Sequence, residues 1–251
     1  MSTPIDISEH RGVRYLHFGS EWVQGAMRIR RSYDLELAYT REMMAPLLFA
    51  PPSDWPRRIL TIGVGAGSLC KFIHRHLPDA RLTAVEIDAK VVAVAEQFFK
   101  LPVEDARFRV VIADGVDYLL DNDGHFELIL VDGFDQHARA GALATLPFYQ
   151  TCRARLADDG VLATNLFGRS KGFEAAVEHL REAFDGRAMA FPSCDSGNVV
   201  ALAARGEAIA VEADILRARA YALKERTGLD LRPTVTRLEE AGRLAGGQLA
   251  L

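Results

Sequence analysis

Two aspartates three residues apart, Asp132 and Asp135, stand in the run Val131-Asp132-Gly133-Phe134-Asp135, directly after an apolar stretch. Carboxylates on such a turn can bind an amine and help take its proton before the nitrogen attacks carbon. Two more acids close apolar runs upstream: Glu86 ends Leu82-Thr83-Ala84-Val85, and Asp114 follows Phe108 to Ala113. An acid in the first place can accept hydrogen bonds from both hydroxyls of a ribose. One in the second can take an adenine amino group. Gly63, Gly65 and Gly67 alternate with Val64 and Ala66. Alternate glycines let the chain turn sharply and let a ligand lie against bare backbone, at the amides of the helix that follows. The spacing is GxGxG; the dinucleotide fingerprint has its third glycine one place later, where Ser68 stands. Together these residues make a nucleoside shelf whose reactive end faces Asp132. The plainer alternative is that the glycines are only a tight turn, that Glu86, Asp114 and Asp132 cap helices, and that Asp135 is solvated loop.

The elements that must position these groups follow from the apolar runs. Ile59 to Ile62 reads as a buried parallel strand stopped by glycine, Ser68 to His76 as its helix, and Leu82 to Glu86 as the second strand. Ala89 to Phe99 is a helix, Phe108 to Ile112 the third strand, Val116 to Leu120 a short helix, and Phe126 to Asp132 the fourth strand. Leu143 to Leu156 reads as a helix despite Pro147, Asp158-Asp159-Gly160 as a turn, Val161 to Asn165 as the fifth strand and Gly172 to Phe184 as an amphipathic helix. Ala188 to Phe191 and Asn198 to Ala204 are joined by the short turn Ser193 to Gly197, with no room for a crossover helix, so they must pair antiparallel. The expectation is an α/β seven-stranded, methyltransferase-like (Rossmann-like) sheet with an antiparallel final hairpin.

Before Pro51-Pro52 the rhythm differs. Val13 to Phe18 and Glu21 to Arg30 read as two extended stretches of a small β layer, and Leu35 to Phe49 has helical spacing. The expected division is an N-terminal hairpin-and-helix region, 1–50, and a nucleoside-binding domain with C-terminal helices, 51–251. Tyr33, Tyr39 and Gln24 of the first region can close over the sheet edge, though aromatic core is the commoner fate of such tyrosines. Helical pattern returns from Val211 to Lys224 and weakly after Arg232.

Composition excludes several classes. In 251 residues, 49% are hydrophobic and 25% charged, as in a soluble globular protein. A net charge of −4 and a pI near 6.0 create no field that gathers nucleic acid. No run approaches membrane-spanning length, and the first thirty residues hold no apolar signal segment. Cys70, Cys152 and Cys194 are odd in number and far apart, with no CxxC pair, which reads as buried thiols in a reducing cytoplasm. The histidines show no paired metal-ligand pattern. No nucleic-acid, membrane or metal partner is expected.

The residues assembled so far resemble the spermidine synthase family of polyamine aminopropyltransferases. The resemblance runs from about Gln24 to Ala204 and rests on the β layer, the glycine turn, Val85-Glu86-Ile87-Asp88, Ala113-Asp114-Gly115, the Asp132/Asp135 turn, Gly160-Val161-Leu162 and Gly197-Asn198. It implies a donor substrate, decarboxylated S-adenosylmethionine, whose aminopropyl group moves to a diamine such as putrescine and leaves methylthioadenosine, with no permanent cofactor. By position, Glu86 would hold the ribose, Asp114 with Gly115 the adenine, and Asp132 the attacking amine as its base, with Asp135 nearby. Tyr39 matches the family's tyrosine ahead of the main domain and Gln24 the glutamine of its hairpin. The family commonly forms dimers or tetramers, so a homodimer is implied. Two departures stand out. The family's turn usually carries an aspartate where Ala66 stands, an acid that helps hold the donor's aminopropyl end. Its loop after the fourth strand usually reads Asp-Pro-x-Gly-Pro, against Asp135-Gln136-His137-Ala138-Arg139 here, and an inward Arg139 would disfavour a dication. A small-molecule methyltransferase using intact S-adenosylmethionine, or a non-catalytic nucleoside-binding relative, are the alternatives.

Overall fold

The computed structural model describes residues 4–50, 55–134, 140–192 and 197–251. Strands β1 (Asp6–His10), β2 (Val13–His17) and β3 (Val23–Arg28) form an antiparallel sheet in that order. Helix α1 (Ala38–Glu42) leads into the main domain, which runs β4 (Arg58–Ile62), α2 (Ser68–His76), β5 (Arg81–Glu86), α3 (Ala89–Phe99), β6 (Phe108–Ile112), α4 (Gly115–Asp121), β7 (Phe126–Val131), α5 (Leu146–Arg155), β8 (Leu156–Phe167), α6 (Phe173–Ala183), β9 (Ala188–Pro192) and β10 (Asn198–Ala204). The C-terminal part adds β11 (Ala210–Glu212), α7 (Ala213–Thr227), α8 (Arg232–Glu240) and β12 (Gln248–Ala250).

The main sheet has seven strands in the order β6-β5-β4-β7-β8-β10-β9. β4 to β8 are parallel, while β10 runs antiparallel to both β8 and β9, as the short connection before Asn198 requires. Alternation along the strands builds a core on each face. Leu128 and Leu130 bury on the side of α2, α7 and α8, and Ile129 and Val131 on the side of α4, α5 and α6. Strand order reverses between β4 and β7, and ligands of open α/β sheets bind at such a switch, outside the strands' carboxyl ends.

Several boundaries differ from expectation. The single helix over Leu35 to Phe49 is instead the five-residue α1 followed by a 3-10 turn over Ala45–Leu48, because Pro46 cannot continue the helix. Pro147 sits in the first turn of α5, where its missing N–H costs nothing. The Asp158 to Gly160 turn is a wide bulge within β8: Phe126 pairs with Leu156 but Leu128 with Val161. The polar edge strand β1 and the pairing of β11 with β12 have no counterpart among the elements expected from sequence. Pro51, Pro52, Cys194 and most of the turn before Gly197 lie outside the described residues, while Cys70 and Cys152 are buried.

A helix as short as α1 is held by its surroundings rather than by its own hydrogen bonds. Its Glu42, 1% exposed, pairs with Arg237 of α8, and Arg219 of α7 donates to the Leu48 and Phe49 carbonyls at 2.8 Å each. The C-terminal helices thereby anchor the segment that carries Tyr39. Removing one partner of a buried ion pair leaves an uncompensated charge, so Arg237→Ala should cost about 3–5 kcal/mol in urea unfolding. The double replacement Glu42→Leu/Arg237→Met should lose much less, and a loss below about 1 kcal/mol for Arg237→Ala would mean the pair is dispensable.

Candidate functional site

The glycine turn is where the strands of the switch meet. Gly63 donates its N–H to the Val85 carbonyl at 2.9 Å, and Asp132 donates its own to the Ile62 carbonyl at 2.8 Å, so β5, β4 and β7 are tied at their carboxyl ends. Gly63 has φ +94°, and a Cβ there would lie 2.2 Å from the Asp132 carbonyl oxygen. Only glycine brings Asp132 this close. The acid and the turn are one unit.

Above the turn is a cavity of about 570 Å³, a size suited to a small ligand. Gln24, Tyr39, Gly63, Gly65, Glu86, Asp114, Gly115 and Asp132 all line it; Gly67 does not, and instead has φ +66° as it caps the start of α2. Glu86 is nearly buried. Its carboxylate accepts from the Val64 N–H at 2.9 Å and the Asp88 N–H at 3.2 Å, which aims it over the turn. It does not cap α3; Asp88 does, accepting from Lys90. Asp114 caps α4 by accepting from the Val116 N–H at 2.7 Å with Oδ1, and its residue still faces the cavity. The helix-cap reading and the ligand reading of Asp114 are therefore compatible.

The N-terminal sheet closes the cavity from the other side. Leu16 and Met27 bury with Ala66 and Phe99, and Ser68 donates to the Ala26 carbonyl at 3.2 Å. A Cβ on Gly25 would come within 2.5 Å of the Ala66 Cβ, so β3 lies directly on the turn. Trp22 meets Phe167 edge to face at 5.4 Å across the mouth. Tyr33 does not join the cavity; its ring packs under the Arg75 guanidinium at 4.8 Å.

At the end of β7, Asp132 is half-buried and held on both oxygens. Tyr39 donates its hydroxyl to Oδ2 at 3.1 Å, and Asn165 donates from Nδ2 to Oδ1 at 2.9 Å. Burial raises the Asp132 pKa above the usual carboxylate value, and the two hydrogen bonds only partly offset it. Burial, followed by the Asp132 charge, pushes the Tyr39 phenol well above its ordinary value, so Tyr39 stays a donor. Asn165 was absent from the residues singled out by sequence. Its signal lies in strand register: Val131 pairs with Thr164, which brings the next residue of each strand, Asp132 and Asn165, side by side. Asp135 and Arg139 lie outside the described residues. Among the described residues no cluster of three metal-ligating groups occurs, and no helix is long and apolar enough to cross a membrane.

A carboxyl group whose pKa is raised by folding loses stabilisation as pH rises from the unfolded value, about 3.9, through the folded one. Asp132→Asn cannot ionise. Its stability relative to the native chain should improve between pH 4 and pH 7 in paired denaturation curves, whereas a pH-independent difference would show that Asp132 ionises without penalty.

Comparison with known proteins agrees with this geometry. The spermine/spermidine synthase domain matches residues 36–185. A polyamine aminopropyltransferase of Chromobacterium violaceum is 39% identical over 247 residues, covering 98% of this chain and 94% of the relative. A probable spermidine synthase from Corynebacterium glutamicum superposes with TM-score 0.71 at 16% identity, over 90% of this chain and 91% of that one. Human methyltransferase-like protein 13, solved with SAH, gives 0.67 at 24% identity, over 76% of this chain and 92% of that one. The last two show a shared fold, and the first two show descent: the chain belongs to the spermine/spermidine synthase family.

Proposed function

We propose that the chain is an aminopropyltransferase that binds decarboxylated S-adenosylmethionine and transfers its aminopropyl group to a small amine of the putrescine type. The observation that carries this reading is the Asp132 carboxylate, clamped by Tyr39 and Asn165 in the same cavity as Glu86 and Asp114. The C. violaceum relative, named for this activity and aligned over nearly the whole chain, supports it.

In this reading Glu86 takes the ribose hydroxyls, Asp114 and Gly115 the adenine, and the bare glycine turn lies under the nucleoside. Gln24 reaches the donor from the hairpin. The acceptor nitrogen gives one proton to Asp132, and its lone pair forms a bond to the donor carbon next to sulfur. The carbon–sulfur pair stays on sulfur, which leaves as the neutral thioether methylthioadenosine. Catalysis is positioning plus proton removal. A raised carboxylate pKa suits that task, because the base then lies closer to working pH. Asp135 would assist from the following loop. The donor is a substrate, and no resident cofactor enters the scheme.

Ala66 favours a second reading. With no acid on the turn, the donor's amino end meets a methyl group packed on Gly25, and intact S-adenosylmethionine would suffer no carboxylate repulsion there. That enzyme would be a methyltransferase. The remaining features of the proposal are a boundary between an N-terminal layer, 1–50, and the donor-binding domain, 51–251, a cytoplasmic location suited to the buried Cys70 and Cys152 thiols, and a homodimer.

Mass spectrometry after incubation with each donor and putrescine separates the readings. Methylthioadenosine from the decarboxylated donor is the expected product; S-adenosylhomocysteine from the intact donor would favour the methyltransferase, and neither product would reject both. Glu86→Gln should weaken donor binding by about 10- to 100-fold, since it removes a charge-assisted pair of hydrogen bonds.

A further inference from the structure

Lys71 sits in the first turn of α2, directly after the glycine turn, and donates its own N–H to the Gly67 carbonyl at 2.9 Å. Its side chain is 1% exposed, and its amine donates to the Phe99 carbonyl at 2.9 Å, at the last residue of α3. Among the described residues it has no carboxylate partner. Burial, opposed by Cys70 and reinforced by Lys100, brings its pKa down to about 7. The groups around it come from three elements. On α2 the titratable neighbour is Cys70, itself pushed up by burial, and at the end of α3 it is Lys100. From the N-terminal sheet, Arg14 of β2, bonded to Glu9 of β1, donates to the adjoining Phe98 carbonyl. The end of α3 is also what the glycine turn rests on. Phe99 buries with Ala66 of the turn and with Leu16 and Met27 of the hairpin layer. A Cβ on Gly67 would lie 2.7 Å from the Leu101 Cδ1, so Leu101 fills the space beneath the turn.

We propose that Lys71 is a positioning residue that ties nucleoside binding to a proton: the cavity takes a nucleoside while Lys71 is the neutral amine, and protonation of that amine loosens the glycine turn and weakens binding. Lys71 lies outside the cavity, so this role rests on the nucleoside-binding reading without adding a contact to it. The neutral amine keeps its bond to Phe99 and leaves the packing under the turn intact. The protonated one is a buried cation beside a second cation, with only a carbonyl to offset its lost hydration. It regains water only when the end of α3 parts from α2, which draws Phe99 and Leu101 off the turn. A lysine whose folded pKa is depressed favours the folded packing fully above its unfolded value, about 10.4, and loses that advantage as pH falls to the folded one, so the packing is weakest below about 7. Linkage is reciprocal. A bound nucleoside makes Lys71 harder to protonate, and binding near neutral pH releases a proton to solvent.

The test is calorimetry with methylthioadenosine on the full chain between about pH 6 and about pH 8.5, a window that spans the Lys71 value. Each titration is repeated in a second buffer of different ionisation enthalpy, which counts the protons exchanged. The native affinity should fall below neutral pH, approaching about 10-fold per pH unit for one coupled proton, with proton release on binding. Lys71→Met, of similar length and unable to ionise, should bind with nearly constant affinity and release no proton. Lys100→Gly removes the neighbouring cation at a position of φ +57°, which glycine adopts freely, so it keeps the fold. It should move the midpoint of the native profile to higher pH, because the Lys71 ammonium then meets less repulsion. Should Lys71→Met not fold, the direction of that shift decides. Affinity flat with pH in the native chain, or a proton release that Lys71→Met keeps and Lys100→Gly does not move, would overturn the role of Lys71 and leave nucleoside binding standing. No binding of methylthioadenosine by the native chain at any pH would overturn the nucleoside-binding reading as well.

Discussion

The closest backbone approach in the cavity governs the rest of the site. Gly63 and Asp132 lie at the point where strand order reverses, and the Asp132 carbonyl occupies the space that any side chain at position 63 would need. The Asp132 N–H closes onto β4, so the acid cannot move without opening the sheet edge. A carboxylate set into the end of a buried strand is positioned before any ligand arrives, and its raised pKa follows from that same burial. Placement and acidity have one cause.

Asp132 is then oriented by two elements, one before it and one after it in the chain, that reach it in different ways. Asn165 reaches it from the neighbouring strand, as a consequence of parallel register. Tyr39 reaches it from α1, a helix too short to persist alone, which is held by Arg219 and Arg237 of the C-terminal helices. The C-terminal extension thus acts on the site at one remove. The N-terminal sheet does so directly, because Gly25 on Ala66 sets how near the hairpin and Gln24 stand to the glycine turn. The missing acid on the turn and the missing side chain on the hairpin are two halves of one close contact.

What sequence alone disclosed was whatever is local. Glu86, Asp114 and Asp132 each end a short apolar run, and the glycines sit within five residues, so strand, turn and acid could be read together. The seven-stranded sheet followed, since the short connection before Asn198 permits only an antiparallel final pair. Asn165 could not be read that way. Its neighbour is fixed by a bulge that sets Leu156 to Val161 against Phe126 to Leu128, and nothing in the composition of β8 reveals how many residues loop out. α1 was overextended because apolar spacing continues through Pro46, where the hydrogen-bond ladder cannot. β11 and β12 are three residues each and find each other across α7 and α8, a pairing with no local signature.

The central claim is that Asp132 removes the acceptor's proton while other residues hold the donor. A single-turnover experiment on the preformed complex with decarboxylated S-adenosylmethionine addresses it most directly, comparing Asp132→Asn with the native chain after a putrescine pulse. General-base catalysis contributes about 10²–10⁴-fold, so methylthioadenosine release should slow by at least the lower figure while donor affinity stays within about 2-fold. Release at the native rate would contradict the account, and the proton would then have to leave by a group other than Asp132.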